Sequence, residues 1–394
     1  MSDLRNYSLV TGAYWAFTLT DGALRMLVLL YFHKLGYTPL EVALLFLFYE
    51  IFGVITNLVG GWIGARLGLK ITLYAGLFLQ IGALCGLALL PEAWPRAGLV
   101  AYVMAMQALS GISKDLTKMS SKSAVKLVVT DGGESRLFRW VAILTGSKNA
   151  LKGVGFFLGA ALLQRFGFSG SLWGMAIGLV MALSVCGCFL RGDLGKSKAK
   201  PKFQEIFSKT PSINWLSAAR MFLFGARDVW FVVGLPVFLS GTLGWTFDGV
   251  GGFLAIWVIG YGIVQAGAPG VLQRIGTPTG RSATILAGML GTVMLLMSLS
   301  LQGDRGGADG MIIIVGLGLF GIVFALNSAV HSYLIVSYSD PDKVALNVGF
   351  YYMANAMGRL MGIRIGHDEV RMHRRIQGKD DPKKTEPHDD DHPI

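Results

Sequence analysis

Three cysteines in 394 residues give no disulfide framework to build on. Two of them, Cys186 and Cys188, fall about 200° apart around a helix and so do not form a thiolate pair. Charge is equally sparse. Only 15% of residues are charged, 53% are hydrophobic and the mean hydropathy is +0.54, which excludes an ordinary water-soluble globule. No Walker A loop occurs, so ATP is not a direct energy source. Neither a nucleophile–base constellation nor a regular spacing of metal ligands is present, and we expect no catalytic residue, no metal site and no cofactor. A cleavable signal peptide is not expected, because the first apolar segment is long, holds Asp21 and Arg25, and lacks a small-residue cleavage site. The pI near 9.6 does not point to nucleic acid, since the basic residues are dispersed over many short loops.

Apolar length is what the chain has in quantity. Windows of 18 or more residues recur at about 7–33, 40–63, 71–90, 98–120, 137–163, 169–190, 213–240, 249–272, 282–301, 310–337 and 344–363. Backbone polar groups in hydrocarbon must be satisfied within their own segment, so these windows predict an all-α polytopic membrane protein. With the N-terminus on one side, that side's loops carry 16 Lys or Arg and the other side's carry 4. Cytoplasmic loops hold the excess of positive charge, which predicts a cytoplasmic N-terminus in an inner (cytoplasmic) membrane with lipid as the surrounding partner.

The longest polar interval, residues 191–212, divides the chain into a first half at 1–190 and a second at 213–363. The halves repeat each other. Arg66-Leu67-Gly68 matches Arg274-Ile275-Gly276, Asn149-Ala150-Leu151 matches Asn355-Ala356-Met357, and Asp21/Arg25 corresponds roughly to Arg227/Asp228, all at offsets between 202 and 208. Two parallel six-span repeats of this kind resemble the major facilitator transporters, whose substrate site lies at mid-membrane between the halves. Gly61-Trp62-Ile63-Gly64-Ala65-Arg66-Leu67-Gly68-Leu69-Lys70 resembles that superfamily's signature loop at Gly61, Arg66, Gly68 and Lys70, and departs from it at Ala65, where the family carries Asp. Physically, the glycines permit a tight turn and Arg66 and Lys70 hold it on the cytoplasmic side. The pattern stops short at the end: residues 364–394 contain no apolar window, the twelfth span is missing, and a disordered tail is expected.

Eight cations sit inside the apolar windows, namely Arg25, Lys114, Lys118, Lys148, Lys152, Arg220, Arg227 and Arg359, against four acids, Asp21, Glu50, Asp115 and Asp228. Each cation costs roughly 2.5–3.5 kcal/mol at the bilayer centre, so they must face a shared polar interior, and an anionic substrate is the natural neutraliser. Lys114 and Lys118 share a helix face, as do Lys148 and Lys152, and Arg220 and Arg227. Arginine offers a planar fork for an oxyanion, lysine a mobile point charge. Local carboxylates offer a competing assignment: Arg25 with Asp21, Lys118 with Asp115, Arg227 with Asp228. Lys122 and Lys126 are expected to be solvated near a loop, and His331 to be a hydrogen-bonded interior histidine.

The segments Thr18–Arg25, Ala108–Leu116, Leu144–Gly153 and Phe224–Val232 resemble those of the ArsJ-type organoarsenical efflux permeases, over about residues 4–362. The resemblance implies export of 1-arseno-3-phosphoglycerate and arsenate resistance, in partnership with a glyceraldehyde-3-phosphate dehydrogenase that uses arsenate in place of phosphate. Substrate contacts are then expected from the eight cations together with Asn149 and Asn355. Asp21 and Asp228, with Glu50 third, are expected as carriers for proton antiport, because carboxylates in the membrane take or release protons as nearby charges change. A carrier of another phosphorylated metabolite or of inorganic phosphate would use the same cations, and a membrane sensor without transport stands as the alternative of a different class.

Overall fold

The computed structural model describes residues 2–37, 39–91, 93–128, 133–192, 201–207, 210–241, 243–302 and 309–376. Twelve α-helices follow in order: α1 Ser2–Lys34, α2 Pro39–Leu45, α3 Leu47–Leu67, α4 Leu69–Ala88, α5 Arg96–Val128, α6 Gly133–Phe189, α7 Pro211–Asp228, α8 Leu235–Gly241, α9 Phe247–Leu272, α10 Gly280–Ser300, α11 Asp309–Ser337 and α12 Val344–Ile376. All eleven predicted spans fall on them. The window 40–63 is divided between α2 and α3, and the windows 137–163 and 169–190 share α6, which breaks at Gly167 where φ is +68°. A π-helical turn, Val229–Gly234, joins α7 to α8 just before Pro236, whose missing N–H and ring bulk disrupt the ladder there.

Among the described residues, seven helices are apolar and long enough to cross a membrane by composition alone. α5, α7 and α12 are not among them, and these carry Lys114, Lys118, Arg220, Arg227 and Arg359. Charge in those helices is therefore tolerable only on faces turned to the protein interior. The polar stretch after Gly362 begins as helix, since α12 runs on to Ile376. Residues 377–394, the rest of the predicted tail, lie outside the described residues, as do 193–200 of the linker.

The internal repeat is visible in the packing. In the first half Gly155 lies on α1 at Leu19 and Gly22; in the second, Gly358 and Gly362 lie on α7 at Met221 and Gly225. That register relates α1 to α7 at 202, so Arg25 answers to Arg227, and α6 to α12 at 203. It corrects the sequence match in α6: Asn355 stands opposite Lys152 rather than Asn149. The tight turn after α3 at Gly68 (φ +98°) recurs after α9 at Gly276 (φ +138°), a backbone conformation that glycine adopts without strain.

The halves meet along two helix crossings, α3 with α12 and α6 with α9. Both depend on missing side chains. A Cβ on Gly61 would sit 2.6 Å from the Ala345 carbonyl oxygen, and one on Gly262 would sit 2.6 Å from that of Gly146. Small residues are what let helix backbones approach this closely inside a membrane.

Candidate functional site

A continuous chain of charged side chains crosses from one half to the other where Glu50 of α3 meets Arg359 of α12. It begins with Lys152 of α6, whose Nζ lies 3.9 Å from Asp21 of α1. Tyr49 of α3 donates to Asp21 at 2.6 Å, and its ring carries Arg25 and Lys114 at 4.2 and 3.8 Å from the centroid. Arg25 pairs with Glu50 at 2.7 Å, and Glu50 also receives Arg359 of α12 at 3.4 Å. Arg359 Nε donates to Asp228 Oδ2 at 3.0 Å, and Arg227 pairs with the other oxygen of that carboxylate. Lys114 and Lys118 flank Asp115 at 3.9 and 2.5 Å.

A second relay, which contains no carboxylate, runs beside the first. Lys148 donates to Asn149 at 3.1 Å, Asn149 to Gln265 of α9 at 2.6 Å, and Gln265 to Ser328 of α11 at 3.1 Å. Arg220 of α7 completes it with a fork, Nη1 to Ser328 at 3.1 Å and Nε to Asn355 at 3.0 Å. All ten residues expected to touch substrate therefore belong to these two relays or to the Asp115 cluster between them. Among the described residues, Lys148 and Arg220 have no carboxylate partner. Arg25 Nε and Asp115 Oδ2 are buried without a hydrogen-bond partner, so the centre keeps unmet capacity for both a negative and a positive group.

Four expectations change. Arg25 pairs with Glu50 on the neighbouring helix instead of Asp21 on its own, because Tyr49 and Lys152 occupy Asp21. Glu50, third among the carboxylates by sequence, is the one that joins the halves. Lys122 is buried rather than solvated: it donates to Tyr352 and, at 3.3 Å, to Thr145. Lys126 is half-buried and donates to the carbonyls of Val336 (2.7 Å) and Ser339 at the end of α11, where helix carbonyls lack intrahelical partners. Nor is His331 hydrogen-bonded at Nδ1 among the described residues, although it is buried.

Tyr49, Gln265, Ser328 and Tyr352 were not anticipated. Gln265 left a signal, being a lone amide in the apolar window 249–272. The two tyrosines left none, since aromatic residues in spans are more often packing groups or interfacial anchors.

The anticipated gating loop holds the face that carries the linker. Gly61 is the α3–α12 crossing, Arg66 lies over the Trp62 ring at 5.4 Å, Gly68 makes the turn, and Lys70 donates to the Leu190 carbonyl at 3.0 Å. Trp62 donates to the Pro201 carbonyl at 3.0 Å, and Gln273 reaches across to Ser135 at 2.7 Å. With Lys126 these contacts clasp the two halves at the linker face.

Solved structures share this architecture. A bacterial homologue of the iron transporter ferroportin in its outward-facing state aligns at TM-score 0.69 and 14% identity over 92% of each chain. The human organic anion transporter MFSD10 aligns at 0.65 and 15%, again over 92% of each chain. The proton:xylose symporter XylE aligns at 0.68 and 13% over 94% of this chain and 89% of that one. At these identities the likeness speaks for fold alone. No curated protein matches the sequence. The profile of the Major Facilitator Superfamily matches residues 10–363, so this multi-pass membrane protein belongs to that superfamily and is a transporter, not an enzyme.

Proposed function

We propose that the chain exports 1-arseno-3-phosphoglycerate by proton antiport and thereby confers resistance to arsenate. The observation that carries this reading is the excess of buried and half-buried cation over carboxylate at the inter-half centre. Nine basic side chains, counting Lys122, face Asp21, Glu50, Asp115 and Asp228. Such an excess suits a substrate with an anionic group at each end, and the likeness to the ArsJ-type permeases supplies its identity. One end would be held by the Arg220 fork, a geometry suited to a planar pair of oxyanion oxygens. Lys148 and Lys152 would neutralise the other.

Coupling follows from competition for the same cations. A substrate anion that engages Arg25 and Arg359 displaces Glu50, and the displaced carboxylate gains a reason to bind a proton. Because the Arg359–Glu50 contact joins the halves, its loss also loosens the crossing, which links occupancy to the change of access. With the linker face in the cytoplasm, the clasp at Lys126 and Trp62 seals the site from that side.

The test is arsenate resistance and retained arsenic in cells making the chain with and without an arsenate-using glyceraldehyde-3-phosphate dehydrogenase. Protection is expected only with both proteins. Equal protection by the permease alone would overturn the assignment and favour a carrier of arsenate or phosphate, and substrate binding without any movement of anion would mark a sensor.

A further inference from the structure

We propose that Lys118, Lys122, Thr145, Ser332 and Tyr352 form a second oxyanion site, one helical turn nearer the linker face than the central relays, which receives an anionic group of the substrate before the centre does. The proposal rests on the reading of the chain as an exporter of an anion, whichever anion it carries. Lys122 is buried and reaches between the halves, donating to Tyr352 of α12 and to Thr145 of α6. Both partners are neutral, and among the described residues no carboxylate pairs with it. Taking an ammonium out of water costs several kcal/mol, which two hydroxyls do not offset, so Lys122 is a poor choice as a mere packing contact. A cation kept inside a membrane protein at such cost marks a ligand pathway.

The residues around Lys122 repeat the centre one turn along. On α5 Lys122 follows Lys118 by four, on α6 Thr145 precedes Lys148 by three, on α11 Ser332 follows Ser328 by four, and on α12 Tyr352 precedes Asn355 by three. These spacings keep each pair on one helix face. α5 and α11 run toward the linker face and α6 and α12 away from it, so all four steps go the same way, by about 5 Å. Lys118 and Lys122 both stand 4.5 Å from the centre of the Tyr352 ring, which thus carries two cations as the Tyr49 ring carries Arg25 and Lys114. Ser332 Oγ is buried in the same lining and has no hydrogen-bond partner among the described residues. Two ammonium groups and three hydroxyls, with no acid in the lining, suit the oxygens of a phosphate or arsenate group.

The site is closed in this structure. Its walls come from α5 and α6 of the first half and from α11 and α12 of the second, and they meet with no room for a water molecule between them. Lys126, one further turn out, shuts the mouth on the carbonyls of Val336 and Ser339. Parting of the halves at the linker face separates Lys122 from Tyr352 and Ser332 and leaves its charge open to an entering anion. Closure brings Tyr352 back onto Lys122 and removes the space, so the anion moves on to Lys148 and Arg220. The same closing motion that seals the linker face thereby loads the centre.

The test uses the full chain with Cys85, Cys186 and Cys188 changed to Ala and with Thr145→Cys in the site, in sealed membrane vesicles of both orientations. Two membrane-impermeant thiol reagents are compared, a sulfonate-bearing and a trimethylammonium-bearing methanethiosulfonate, each rate taken relative to that reagent's reaction with a free thiol. Labelling is expected from the linker side alone, with the anionic reagent favoured about 10-fold or more, as in a cleft lined by one sign of charge. Lys122→Gln should cut that preference by roughly threefold or more, and Lys122→Arg should keep it. Inorganic phosphate should slow the labelling more than chloride does at equal ionic strength. Equal rates for the two reagents, labelling from the opposite side, no labelling from either, a preference indifferent to Lys122, or no protection by phosphate each overturns the site. Arsenate resistance is read separately: if it does not require the dehydrogenase while the charge preference stands, the arsenic ester is wrong and the entry site is right.

Discussion

α5 and α11 hold equivalent places, each packed chiefly against the two long helices that precede it in its half, α3 and α4 for α5 and α9 and α10 for α11, yet they solve the membrane problem in opposite ways. α5 carries Lys114, Asp115, Lys118, Lys122 and Lys126. α11 is the most apolar of the candidate spans, at a mean hydropathy of 2.3, and past Asp309 holds no Asp, Glu, Lys or Arg. The difference extends to their surroundings: the first half supplies lysines on α5 and α6 with Arg25, the second supplies only arginines, Arg220, Arg227 and Arg359. Lysine is a compact point charge on a flexible stem, whereas arginine presents donors in a fixed plane. A binding centre with one adaptable wall and one shaped wall can fix one end of a substrate by geometry and neutralise the other by charge.

The comparison breaks most visibly at Arg359. Arg359→Gln removes a cation shared by Glu50 and Asp228, and Asp228 is fully buried. Each carboxylate keeps one cation, Glu50 its Arg25 and Asp228 its Arg227, so the cost is that of lost hydrogen bonds to charged groups, about 1.5–3 kcal/mol each; thermal unfolding of the purified protein should fall by a few degrees and transport should vanish. Lys152→Gln on the adaptable wall should cost far less stability, because Asp21 retains Tyr49. Equal destabilisation by the two would erase the distinction between the walls.

Next in size are Lys148→Gln and Arg220→Gln. Neither leaves a carboxylate unpaired, so folding and membrane expression should be kept. Each should lower substrate transport roughly 10- to 100-fold, the range of about 1.5–3 kcal/mol for a hydrogen bond to a charged group. Full transport by both variants would return these residues to a structural role.

Exchanging the two side-chain types sharpens the comparison. Arg220→Lys cannot reach Asn355 and Ser328 together, so KM should rise by roughly 10-fold, the loss of one charge-assisted contact, with kcat less affected. Lys148→Arg keeps the charge on a wall that adapts and should transport within about threefold of wild type. If Lys148→Arg is the more damaging, the shaped wall is in the first half.

How much of this the sequence shows depends on the kind of signal. Spans and turn glycines follow from hydropathy and backbone chemistry along the chain, and all eleven windows fall on helices. The buried cations were legible because charge in hydrocarbon has few innocent explanations. Their partners were not. Arg25 lies one turn from Asp21 in sequence but meets Glu50 on α3, and Lys126 reads as loop-side yet serves α11, 210 positions away. Such pairings depend on helix rotation and crossing, which are set by Gly61 and Gly262 against distant backbone. Gln265 and Tyr49 entered the site by the same route.

The smallest effect on binding is expected at Asp21, and it separates affinity from coupling. Asp21 accepts a hydrogen bond from Tyr49 and faces Lys152 at 3.9 Å. Asparagine retains an acceptor for Tyr49 at nearly the same size, and at 3.9 Å Lys152 makes no hydrogen bond that is lost, so substrate affinity should change by no more than about fivefold, roughly 1 kcal/mol. What asparagine lacks is a proton to exchange. If Asp21 carries the coupling ion, Asp21→Asn should still swap substrate across vesicle membranes at equilibrium but fail to concentrate it under an imposed pH gradient. Measuring both in the same vesicles distinguishes the outcomes. Undiminished accumulation would remove Asp21 from the coupling step and shift it to Glu50, the carboxylate that Arg25 and Arg359 share across the halves.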